Sequence, residues 1–387
     1  MLDRKILPAL LLAVFVAACG SDDDDDNNNN GGTPPATETG VFIDSAVAGI
    51  GYRTETQEGE TNADGEYEYV EGETVTFFIG DLEFPPVPAK GVVTPLDMSG
   101  SDDLNDPVTV NIARLLQTLD SDGDASNGIT IPDGAAAAAS VLDFDVSVAE
   151  FETSVANFVA NAGGGSLTLV SATDAVNHLQ SSLDDVQASL IGSWGFRETV
   201  DGEEYFIVLT FLDQQNFVLA NDESDSDPNG QDGFELGGYT WNVRSGAFVP
   251  SVRVDTNGEW GLSHPCEGET FTLELRGDTL LVGAEGEVGE DCDAAAGEDS
   301  AIEFTRVTSD SNSLVGGWFI DSGLEDEFAL VTFSESNGYM MVQNSSEDLD
   351  AGQPGIERGT YEHNSSTGAV VFDTLTDTNN QWGFSHP

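Results

Sequence analysis

The chain of 387 residues carries 71 acidic against 11 basic side chains, a net charge of −60. Such a field repels nucleic acid and anionic lipid headgroups, which excludes the usual polyanion partners, and it suits a medium where salt or divalent ions screen it. Hydrophobic residues at 39% with 43 glycines point to β-rich globular domains, and the length accommodates two or three of them.

The first nineteen residues begin with a short basic stretch, Arg4 and Lys5. An apolar run from Ile6 to Val16 follows, and the stretch closes on Ala17-Ala18-Cys19. The run is too short to span a bilayer comfortably and has the shape of a secretory h-region. The small-small-Cys ending resembles the lipobox of bacterial lipoproteins. That resemblance implies acylation of Cys19 with palmitate-type chains and a mature protein that starts there. A single acyl chain gives only marginal membrane binding, so the family's several chains on one cysteine would supply the anchor. Gly20, where enterobacterial inner-membrane lipoproteins have aspartate, implies the outer membrane. Residues 20–39, with Asp22 to Asp26 and Asn27 to Asn30, hold no large apolar group. They read as a self-repelling, disordered tether.

Residues 40–98 show period-two alternation at Val41/Ile43, Tyr67/Tyr69 and Val75/Phe77/Ile79, with a turn at Asn62-Ala63-Asp64-Gly65. Gly59-Glu60-Thr61-Asn62 followed by Asp64-Gly65-Glu66-Tyr67 resembles the hairpin of transthyretin-like modules, the carboxypeptidase-regulatory and Cna-B-like domains. The resemblance implies a small β-sandwich serving as spacer or stalk. In 99–187 a helix is expected from Val108 to Leu119, and two more over 144–162 and 172–187, parted by Gly163-Gly164-Gly165. His178 belongs to the edge of the last helix's core face. Between the first two helices, Asp120, Asp122, Asp124 and Asn127 suit a hard cation such as calcium. The spacing resembles the start of an EF-hand loop but departs from it at Ala125 and Ile131. The other reading is an Asp/Gly/Asn turn capping the helix, which needs no metal. "FIDSAVAG", "NIARLLQTLD" and "SNGI" together resemble a recurrent N-terminal region of bacterial lipoproteins and surface proteins.

From residue 188 on the chain repeats. GFELGGYTWNVRSGAFV (233–249) returns as GIERGTYEHNSSTGAVV (355–371), and DTNGEWGLSHP (255–265) as DTNNQWGFSHP (377–387), both at an offset of 122 residues. A period of that size is a domain. Copy one reads as about eight strands, near 194–198, 204–212, 216–220, 234–242, 247–254, 270–276, 279–283 and 302–307. A closed up-and-down barrel would remove their exposed edges. Gly192-Ser193-Trp194 and Arg306 resemble the Gly-x-Trp and arginine of lipocalin-like barrels, which implies a cation stacked on the indole at one barrel end. Copy two stops at Pro387, the counterpart of Pro265, so the chain reads as a fragment or as damaged at its end.

The expected class is therefore mainly β with a helical segment. A leader (1–19), a linker (20–39), a β-sandwich (40–98), a helical segment (99–187), a barrel-like repeat (188–309) and an incomplete second one (310–387) follow in order. Cys266 and Cys292, in an exported chain, read as a disulfide. Asp255, Ser263 and His264, repeated as Asp377, Ser385 and His386, hold the residue types of a hydrolase. Neighbours in sequence tend to point apart, however, and no Gly-x-Ser-x-Gly elbow is present. Trp260 and His264 are candidates for a ligand mouth. The functional expectation is a non-catalytic envelope protein with a protein or glycan partner at the cell surface. The alternatives are a carrier of a small apolar ligand inside the barrel, and a hydrolase.

Overall fold

The computed structural model describes residues 36–162, 167–200, 203–222, 232–258, 261–264, 270–285, 300–307, 314–321, 327–334, 336–344, 353–379 and 383–386. Cys19, most of the tether, Trp260, Cys266 and Cys292 lie outside them. The chain is mainly β and forms two compact units that divide at Gln187/Ala188, with Val243–Ser245 counted to the first.

In the first unit, alternation produces short strands. Glu38–Phe42 pairs antiparallel with Glu66–Tyr69 and parallel with Val92–Val93, and Gly51–Arg53 lies between Glu58–Glu60 and Thr74–Ile79. The turn read from Asn62 to Gly65 is present. Asn62 Oδ1 accepts the amides of Asp64 and Glu66 at 3.0 Å each, and Gly65 takes φ 75° where a Cβ would come within 2.9 Å of the Phe42 carbonyl. The expected helices are Pro107–Leu119, Val148–Ala162 and Ala172–Ser189. The first starts where Asp106 accepts the Val108 amide and Pro107 presets the backbone.

Residues 40–98 and 99–187, separate segments in the sequence reading, share one hydrophobic core. Phe42, Tyr67 and Phe77 from the strands sit in it with Ile112, Leu115, Phe151 and Phe158 from the helices. Phe144 joins the two sets, stacked 5.2 Å from Phe84 and 5.5 Å from Phe151. Val47–Ala48 also pairs in parallel with Ile129–Thr130, a backbone tie across the same boundary.

The second unit opens with a closed eight-stranded antiparallel barrel in sequence order. Its strands are Gly192–Val200, Glu203–Phe211, Asn216–Asp222, Gly233–Trp241, Ala247–Asp255, Thr270–Arg276, Thr279–Glu285 and Ser300–Arg306. Closure comes from Trp194 and Gly195 pairing with Arg306 and Thr305. The Arg306 guanidinium lies 4.0 Å over the Trp194 ring and donates to the Ser189 carbonyl at 2.7 Å, while Trp194 Nε1 donates to the Leu190 carbonyl. The stacked cation expected at one barrel end is thus formed.

Copy two forms a five-stranded antiparallel sheet of Gly316–Asp321, Phe328–Phe333, Gly338–Asn344, Gly355–Asn364 and Ala369–Asp377. The register shift between Leu236 and Gly237 returns between Arg358 and Gly359, so the repeat preserves the bulge as well as the strands.

The two copies meet through the same face. Phe206, Val208, Val218, Ala220 and Phe234 pack in one cluster with Phe328, Leu330, Met340, Val342 and Ile356, their counterparts 122 residues on. Alternate residues of the same barrel strands point the other way, into the barrel. Phe211, Tyr239 and Phe248 fill it with ring centroids 5.0–6.2 Å apart, and Phe217 joins Phe248.

Candidate functional site

One polar site is built twice, once in each copy. In copy one it grows from Glu235, a fully buried carboxylate in the middle of the apolar strand Gly233–Trp241. Glu235 pairs across the sheet with Leu219 on one side and Asp255 on the other, so all three face the barrel interior. After Asp255 the chain turns back, and the amides of Leu262 and Ser263 each donate to the Glu235 carboxylate at 2.9 Å. A buried acid thus anchors the loop backbone. Burial pushes the Glu235 carboxyl up and the Asp255 charge adds to this, opposed by the hydrogen bonds from Ser263 and Leu262.

Ser263 Oγ donates to Asp255 Oδ2 at 2.8 Å and lies 2.6 Å from His264 Nδ1, which is 3.6 Å from Asp255 Oδ2. Copy two repeats the arrangement. The Phe384 and Ser385 amides donate to the buried Glu357 at 2.8 and 3.3 Å. Ser385 Oγ lies 2.6 Å from Glu357 Oε1, 2.7 Å from Asp377 Oδ2 and 2.8 Å from His386 Nδ1.

The expectation that Ser263 and His264 point apart is therefore corrected. It holds for an extended strand, where neighbours alternate, but residues 261–264 form a turn that brings both side chains to Asp255. The geometry is not that of a hydrolase relay. There the histidine stands between serine and aspartate and uses a different ring nitrogen for each. Here serine, aspartate and a single ring nitrogen converge on one point. Sequence reasoning missed Glu235 and Glu357. Their signal is a carboxylate inside an apolar run, recurring at the repeat offset; their loop partners come about 27 residues later, as the separations of 27 and 28 show.

Comparison of the chain with protein-family models, with curated proteins and with solved structures finds no match in any of the three.

The acidic loop uses its carboxylates on itself. Asp120 Oδ1 accepts the Thr130 amide, Asp122 accepts the Asp124 amide and the Asn127 side chain, and Asp124 accepts from the Ser126 amide and hydroxyl. The Asp124 amide bond, then Asn127 and Asp120, hold Asp122 below the usual carboxylate range. A 3-10 turn, Ala125–Asn127, stands where an EF-hand would have its glycine. The buried Asp120 Oδ2 has no hydrogen-bond partner among the described residues.

His178 takes part in a second buried cluster. Its Nε2 lies 3.2 Å from Ser45 Oγ, 3.3 Å from the Asp44 carbonyl and 4.0 Å from Asp44 Oδ1. Asp44 is fully buried, with Gln117 Nε2 at 3.1–3.2 Å from both its oxygens. Desolvation pushes its carboxyl up to about 7 against the Gln117 bond. Ser45 is held at φ 53°, a conformation that costs a non-glycine residue energy.

A cleft of about 750 Å³ lies between the copies, lined by Ser193, Thr210, Leu236, Gly317, Phe328 and Leu330 among others. It is outside the barrel.

Proposed function

We propose that this chain is a lipid-anchored protein of a bacterial outer envelope whose repeats serve as non-catalytic binding modules. The leader ending at Cys19 supports the anchoring, and the acidic stretch behind it supports a tether that holds the folded units off the membrane. The observation that carries the binding reading is the filled barrel. Trp194, Phe211, Phe217, Tyr239 and Phe248 are buried within it, so recognition falls to outer surfaces and to the loops at the strand ends. A carrier would keep an apolar pocket where those rings stand. The convergence of Asp255, Ser263 and His264 favours a hydrolase as second reading, but the order of the three groups speaks against a relay.

Protease shaving of intact cells expressing the chain tests this, with Cys19→Ala as control. Loss of the repeat units from whole cells, and release of the Cys19→Ala form from the membrane fraction, are the expected results. Repeats protected until the outer membrane is broken would move them to the periplasm. A Cys19→Ala form that stays bound would end the lipoprotein reading.

A further inference from the structure

The repeated site gathers two carboxylates and an imidazole around one hydroxyl. In copy two the hydroxyl of Ser385 lies within 2.8 Å of Glu357 Oε1, Asp377 Oδ2 and His386 Nδ1, and only the two carboxylate oxygens are fixed as acceptors. A serine donates one hydrogen bond. Two carboxylates and an imidazole gathered this closely form a donor set that one cation can share. The ligand atoms of Glu357, Asp377 and His386 all lie within 4.8 Å of one another, close enough to share one ion.

A second observation points the same way. Asn379, two residues beyond Asp377, is fully buried, and neither its amide oxygen nor its amide nitrogen has a hydrogen-bond partner among the described residues. Its backbone amide donates to Asp377 Oδ1 at 3.2 Å. At the same place in copy one, Asn257 is buried with its side-chain oxygen unpartnered. The Asn257 side-chain nitrogen donates to Asn221 Oδ1 at 3.0 Å, so what the two copies share is a buried amide oxygen left open at one position, which an ion or its water would fill.

We infer that Glu357, Asp377 and His386 hold a divalent transition-metal ion of the zinc class. One imidazole nitrogen with two carboxylate oxygens is a zinc-type donor set; calcium would call for oxygen alone. Glu357 is the rigid floor, fixed by the Phe384 and Ser385 amides. His386 is half-exposed, which leaves an entry path and a position for water. The field of a chain with net charge −60 concentrates cations at its surface, and the buried glutamates are where one is best repaid for shedding water.

The test uses the full-length chain in detergent, stripped with a chelator and titrated with zinc chloride by calorimetry, with metal content checked after dialysis. Binding that weakens by at least about 100-fold at one site in His386→Gln and in Asp377→Asn is expected, since loss of a ligand should exceed the outer-shell effect. The variants' melting curves in chelator should match the parent's, separating ligand loss from misfolding. Zinc binding unchanged by His386→Gln and Asp377→Asn would put the ion elsewhere in the chain. No binding by the parent would mean the cluster is a hydrogen-bonded one without an ion. Either overturns the inference, and neither bears on the anchoring tested by shaving.

Discussion

At the scale of single residues, Asp44 is the group whose environment is most at odds with its charge. Burial raises its carboxyl from 3.8 to about 7, with only the Gln117 amide to stabilise the ionised form. His178 is the titratable side chain facing it, at 4.0 Å. Because the folded-state value lies above the unfolded one, folded Asp44 keeps its proton where the unfolded chain has lost it. Stability is therefore full below about pH 4 and falls as pH rises towards 7. Three units correspond to about 4 kcal/mol at most. Asp44→Asn should flatten the denaturation free energy of the first unit between pH 4 and 8 and raise it at the alkaline end; a parent profile already flat there would refute the account.

At the scale of elements, the alternation that defines strands was readable because each is bounded by a turn residue. All eight barrel strands lie where the sequence places them, and the helix Pro107–Leu119 begins at its proline. What the strands pack against was not readable. Runs such as Phe206-Ile207-Val208-Leu209 are apolar on both faces, which says that both are covered but not by what. The Asp-Ser-His convergence escaped for a related reason: a side-chain direction inferred from adjacency assumes an extended chain, and the loop is a turn. Gly237 marks the bulge that bends the fourth barrel strand, and a Cβ there would meet the Ser251 carbonyl at 2.6 Å. Gly237→Ala should cost about 1–3 kcal/mol of barrel stability, measured by urea unfolding. A variant as stable as the parent would show that the strand can yield.

At the scale of the whole second unit, an ion pair breaks the symmetry of the contact between copies. Arg358 Nε lies 2.7 Å from Asp222 Oδ2 with both side chains almost buried, and Thr376 donates to Asp222 Oδ1 at 3.0 Å. The residues equivalent to Arg358 and Asp222 in the other copy are Leu236 and Asn344. Arg358→Leu alone strands a buried carboxylate and should destabilise the unit by about 3–5 kcal/mol. Adding Asp222→Asn makes the two halves of the contact alike and should recover most of the loss. A double variant no better than the single would show that the pair is not what joins the copies there.

That contact is a homodimer interface written into one polypeptide. A lone repeat bearing this face would associate with a second through identical surfaces, and tandem duplication turns that encounter into an intramolecular one at a high effective concentration. Once one copy's surface has been made leucine and the other's arginine, the halves are no longer interchangeable, and the pairing has an orientation. Self-complementary surfaces also close on themselves. Here the two copies turn most of that face towards each other, and what they leave open is the cleft along their seam.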